Sequence, residues 1–102
     1  MKVFWTDTAK SSFQEELSFI NKKWGKKEVT NFINLSTDYI NLLVSGVLEG
    51  KPSRRRNIRI SVISKQTTLV YKLNKKSKQI ELILFWNNLK NPNQLESIIQ
   101  KQ

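Results

Sequence analysis

Arg54-Arg55-Arg56 and Arg59 place four guanidinium groups within one short stretch of the chain. A guanidinium makes paired, planar hydrogen bonds to phosphate or carboxylate, so this spacing suits an anion clamp. Lys65 and Lys72 follow at distances that extend the same cationic zone, and all six are candidate anion- or target-binding residues. What this set can do is bind and neutralise charge. The chain has no His and no Cys, which removes imidazole acid–base work, Ser-His triads, thiol nucleophiles and Cys- or His-ligated metals. No cofactor and no metal site is expected. Glu81 is the only acid among the strand residues, and a cross-strand pair with Lys72 accounts for it as well as a general base would. Lys75, Lys76 and Lys78 read as solvent-facing turn charges that add to the long-range field.

The charge is also divided along the chain. Residues 1–50 carry six Lys against six Asp or Glu, whereas residues 51–102 carry twelve Lys or Arg against Glu81 and Glu96, and so hold the whole net charge of +10. A basic half joined to a neutral half concentrates positive field on one part of the surface and points to an acidic partner. At 102 residues the chain fits one domain with one modest core, spanning residues 1–102. No apolar run is long enough to cross a bilayer, and the first residues lack the apolar stretch of a signal peptide. The expectation is a cytoplasmic protein with no membrane partner.

The elements that must position these charges are legible as changes of period. Val3 to Trp5 reads as a short strand, and Thr6-Asp7-Thr8 supplies helix caps. Ala9, Phe13, Leu17, Ile20 and Trp24 then mark one face of a helix that Gly25 ends. A second helix has Val29, Phe32 or Ile33, Ser36, Ile40, Leu43 and Val47 as its inner stripe, with Gly46 and Gly50 at its end. Two helices joined this tightly pack as an antiparallel hairpin. Beyond the Arg-rich loop the period falls to two. Three strands are expected around Ile58–Ile63, Thr67–Leu73 and Ile80–Trp86, with turns near Ser64-Lys65-Gln66 and Asn74–Lys78. Such short connections impose antiparallel pairing. Gln94 to Gln100 can add a terminal helix.

This makes an α+β fold in the order β-α-α-β-β-β(-α), with the helical hairpin packed on one face of an antiparallel sheet. Strand alternation assigns Ile58/Ile60/Val62, Leu69/Tyr71/Leu73 and Leu82/Leu84/Trp86 to the covered face. The other face then shows Arg59, Ser61, Ile63, Thr68, Val70, Lys72, Ile83 and Phe85, a mixed cationic and apolar surface fit for docking. Ile63, Val70, Ile83 and Phe85 are its candidate apolar anchors. Trp24 and Trp86 read as core residues, given the area that a Trp buries.

The segments Val3-Phe4-Trp5-Thr6, Lys23-Trp24-Gly25 and Gly50-Lys51-Pro52 resemble the RelE/ParE superfamily of small toxins. So do the run from Val62 to Tyr71 and Phe85-Trp86-Asn87-Asn88-Leu89-Lys90-Asn91-Pro92. The likeness extends over residues 2–95 and agrees in element order. It implies the toxin of a type II toxin–antitoxin, or plasmid stabilisation, system, neutralised by a cognate acidic antitoxin that wraps over it as a hetero-oligomer. RelE-like members cut mRNA on the ribosome, whereas ParE-like members act on DNA gyrase by binding. The nuclease branch uses Lys or Arg on the middle strands and an Arg, Tyr or His near the chain end. Arg59 matches one such position, but Ser61 and Thr68 stand at the others, and no His or Tyr follows Pro92. The resemblance therefore implies a ParE-like, growth-inhibiting toxin, with a RelE-like, metal-independent endoribonuclease as the alternative. In that alternative Arg59 and Lys65 are the catalytic candidates, stabilising charge on RNA. In the ParE-like reading Ile63, Val70, Ile83 and Phe85, on the face left open by the hairpin, would take apolar anchors of the antitoxin.

Overall fold

The computed structural model describes residues 1–102. Strand β1 (Lys2–Trp5) leads into helices α1 (Asp7–Trp24) and α2 (Lys26–Ser45). Strands β2 (Lys51–Pro52), β3 (Ile58–Val62), β4 (Thr67–Asn74) and β5 (Gln79–Asn87) follow, and α3 (Pro92–Gln100) completes the order. Thr6 caps α1, its Oγ1 accepting from the Ala9 N–H at 3.0 Å, and the same hydroxyl lies 2.8 Å from the Leu82 carbonyl of β5. One side chain thus starts the helix and fixes it to the sheet. Gly25 separates the two helices at a φ of 92°, and Gly46 ends α2 at a φ of 80°, a region where a Cβ is penalised. Asn91 caps α3 by accepting from the Asn93 N–H at 2.9 Å, with Pro92 in its first turn.

The sheet runs β1-β5-β4-β3-β2. The three long strands pair antiparallel, as their short turns require. Two additions make the sheet mixed and five-stranded: β1 lies parallel to β5, and the two-residue β2 borders β3. Helices α1 and α2 cover one face. Their inner residues Ala9, Ile20, Phe32, Ile40 and Leu43 meet Ile63, Leu69, Tyr71, Leu73, Ile80, Leu82 and Phe85. At the centre Phe85 stacks on Trp5 with centroids 5.4 Å apart and tilts against Phe13 at 4.9 Å.

The opposite face is not open. There α3 lays Leu95, Ile98 and Ile99 over Ile58, Ile60, Val70, Ile83, Leu84 and Trp86. The expected split of side chains between the faces is corrected in two places. On β3 the assignment is inverted: Arg59 stands opposite Tyr71 and Ser61 opposite Leu69, on the hairpin face, while Ile58 and Ile60 lie under α3 and Val62 is exposed. On β5 an irregularity at Val70/Tyr71 pairs Val70 with Leu84 but Tyr71 with Leu82, leaving Ile83 as the additional residue. A bulge of this kind reverses the alternation of everything beyond it. Phe85 therefore turns into the main core, and Trp86 turns to α3. Trp24 is also corrected: it is half exposed, the last residue of α1, and packs edge-on against Phe19 beneath Lys23. Val47, placed on the inner stripe of α2, lies beyond Gly46 and is exposed.

Candidate anion-binding cleft

Two turns at one end of the sheet hold the cations. In the loop before β3 the Ser53 hydroxyl lies 2.9 Å from the Ile58 carbonyl and accepts from the Arg55 N–H at 3.1 Å, folding the chain back on itself. Asn57 then adopts a φ of 68°, a left-handed conformation that Asn tolerates better than most residues, and its carbonyl accepts from the Leu73 N–H at 2.9 Å. In the β4–β5 turn Asn74 Oδ1 accepts from the N–H groups of Lys76 and Ser77, both at 3.1 Å. Two polar side chains thus stiffen two loops, which present their charges from fixed backbone.

Between these turns lies a cleft of about 760 Å³. Arg55, Arg56, Arg59, Lys72, Lys75 and Lys76 line it, together with Pro52, Ser53, Asn57, Ile58, Leu73 and Asn74. No carboxylate, Tyr, His or Cys is among the lining residues. Six cations on a concave surface reinforce one another's field. Arg59 is the most enclosed of them. Its guanidinium lies 3.3 Å from Glu49 and reaches the Gly50 carbonyl at 3.4 Å. Glu49 also lies 3.9 Å from Lys75, so one carboxylate bridges two of the cleft's cations. Sequence reasoning missed Glu49; the signal was its isolation, as the only acid between Asp38 and Glu81.

Gly50 is held here by close approach. A Cβ on it would stand 2.6 Å from the Ile60 carbonyl and collide with the Ser61 hydroxyl, so only glycine lets the chain pass. Its N–H donates to the Tyr71 hydroxyl at 2.7 Å. Burial pushes the Tyr71 phenol above its ordinary 10.0, with the Glu49 charge adding to the rise, while the Gly50 hydrogen bond and the Arg59 charge oppose it. A phenol of raised pKa holds its proton more tightly in the folded chain. The stability this gives is complete below about pH 10 and declines as pH rises from there through the folded value. Tyr71→Phe is expected to lose about 1–2 kcal/mol at neutral pH, because the Gly50 N–H is left without its acceptor. It should also flatten the alkaline decline. Urea unfolding of both proteins on either side of about pH 10 checks the two effects.

Of the residues singled out from sequence, Arg55, Arg56, Arg59 and Lys72 come together in the cleft, joined by Lys75 and Lys76, so these two turn lysines do more than add to the long-range field. Arg54 points away, 84% exposed and 3.8 Å from Glu96 of α3. Lys65 sits in the β3–β4 turn at the other end of β3, its carbonyl accepting from Asn88 Nδ2 at 3.3 Å. Glu81 stands opposite Lys72 in register, as alternation implied. Ile63, Val70, Ile83 and Phe85 are between 0% and 7% exposed, buried by this chain's own helices, so they do not form the expected docking face.

The remaining likeness to nuclease positions is structural. Ser61 is buried beneath Gly50, and Thr68 donates to Asn88 Oδ1 at 2.7 Å. The Asn87-to-Pro92 segment also works on the backbone. Asn87 Oδ1 accepts from the Leu89 N–H at 2.9 Å, Asn88 ties the end of β5 to the β3–β4 turn, and Asn91-Pro92 starts α3.

A helical hairpin on one face of a five-stranded mixed sheet, with a terminal helix on the other, is the ParE-like α+β fold. It is shared with a chain of the chromosomal ParDE TA system from P. aeruginosa, at a TM-score of 0.70 and 14% identity, over 85% of this chain and 95% of that one. The likeness establishes the fold anticipated from the sequence motifs. No family model and no curated protein matches the sequence. No helix is long and apolar enough to cross a membrane.

Proposed function

We propose that the chain is the toxin of a type II toxin–antitoxin pair of the ParE type. In this reading a cognate acidic antitoxin neutralises it, and it arrests growth by binding DNA gyrase in the cytoplasm, without breaking bonds itself. The fold shared with the ParDE system supports the class by analogy, since fold alone does not fix function. The observation that carries the mode of action is the lining of the cleft, which is rich in cations and contains no carboxylate, Tyr, His or Cys. Transition-state charge could be balanced there, but the imidazole, carboxylate or phenol that commonly supplies the general acid–base contribution, typically about 10²–10⁴ in rate, is not among the lining residues. The RelE-like alternative is weakened further because Arg59 is occupied by Glu49, and Ser61 and Thr68 are buried.

Induced expression should arrest growth, and the purified protein should inhibit supercoiling by gyrase. Primer extension on mRNA from the same cells should show no discrete new ends. Sharp, ribosome-dependent cuts would replace this reading with the endoribonuclease.

A further inference from the structure

We propose that a small apolar pocket beside the cationic cleft anchors an acidic peptide through one aliphatic or aromatic side chain, while the peptide's carboxylates lie along the cleft. The pocket is a cavity of about 330 Å³ walled by Met1, Leu43, Leu48, Tyr71, Leu73 and Ile80, with Lys75 and Lys78 also lining it. This is the lower end of the roughly 300–1,000 Å³ usual for ligand pockets, which suits a side chain better than a larger molecule. Leu73 and Lys75 also line the cleft, so the two depressions share a wall.

Their junction already holds a carboxylate. Glu49 borders the apolar pocket and reaches out to Arg59 at 3.3 Å and Lys75 at 3.9 Å. An apolar hole, a carboxylate-binding junction and a row of cations follow one another across the surface. That order matches an Asp- or Glu-rich segment with one apolar residue, in which a buried anchor supplies affinity and the charges supply orientation. A nucleic acid fits it less well. No aromatic side chain lines the cleft to stack a base, and the apolar pocket would stay unfilled. The inference deepens the antitoxin reading and rests on it for the partner's identity, though not for the partner's chemistry.

The test uses a fluorescein-labelled peptide of Asp and Glu around one central residue, made with Gly, Ser, Leu or Phe, and fluorescence anisotropy on the full chain. The Leu or Phe peptide should bind roughly tenfold or more tightly than the Ser peptide. Leu48→Asp should erase that ratio while retaining binding by charge, and Glu49→Gln should tighten every member of the set by freeing the junction. Leu48→Ser, which adds no charge, gives the same reading if the aspartate disturbs folding. Equal affinity across the set, no measurable binding, or a ratio untouched by either Leu48 variant overturns the proposal. An RNA of matched length that binds more tightly than the Leu peptide gives the cleft to nucleic acid and also overturns it. Growth on induction separates this from the toxin reading. A chain that arrests growth but shows no apolar preference loses only the docking site, whereas a preference without growth arrest removes only the toxin.

Discussion

Phe85→Ala is expected to lower the unfolding free energy by about 3–5 kcal/mol, the usual cost of emptying a buried aromatic site. The side chain is 3% exposed and lies between Trp5 and Phe13, joining β1, α1 and β5. Removing it takes a partner from both rings at once, and close-packed neighbours refill such a space only in part. Had simple alternation placed Phe85 on an open face, the change would be within about 0.5 kcal/mol. The midpoint of urea denaturation, at unchanged slope, separates the two outcomes. A small shift would mean that the bulge at Val70/Tyr71 does not turn Phe85 inward.

The second large effect concerns charge at fixed net charge. Arg55→Ala/Arg56→Ala and Arg54→Ala/Lys65→Ala each remove two cations, but only the first pair lines the cleft. With a single-stranded oligonucleotide as a polyanion probe, each phosphate contact contributes about 0.7 to the slope of log affinity against log salt. The cleft pair should therefore lower that slope by about 1.4 and weaken binding more than tenfold at about 0.1 M salt. The remote pair should leave the slope nearly unchanged. Equal losses from both pairs would reduce the cleft to part of a diffuse positive surface.

The helices were legible because their signals are local. Thr6 caps α1, Gly25 and Gly46 end helices at positive φ, and the stripes of Ala9 to Ile20 and Phe32 to Leu43 need only a period of 3.6 to be read. The antiparallel order of β3, β4 and β5 was legible from turn lengths, whereas the places of β1 beside β5 and β2 beside β3 were not. Facing was not, because one bulge reverses it and alternation carries no mark of where a bulge falls. A clue to the second covered face did exist. Residues 82–86, Leu-Ile-Leu-Phe-Trp, form an unbroken apolar run, the pattern of a strand buried on both sides rather than one. Leu95, Ile98 and Ile99 supplied the complementary stripe on α3.

The cationic site was half legible for a similar reason. Arg55, Arg56 and Arg59 adjoin in sequence, but Lys75 and Lys76 join them only because β3 and β4 are antiparallel, which brings the loop before one strand beside the turn after the other. The same pairing sends Lys65 to the far end. Glu49, Gly50 and Tyr71 form a set that depends on one close backbone approach at Ile60, and no spacing rule reports it.

The parallel pairing of Lys2–Trp5 with Gln79–Leu82 has a kinetic consequence. Strand β1 waits for β5, the last of the five strands, and closing so long a loop is entropically costly before any contact compensates for it. During translation α1 and α2 can form, yet Trp5 and Phe13 have no Phe85 to pack against until the ninth tens of residues has emerged. Assembly of the main core is therefore a late event, slow for a chain of this size.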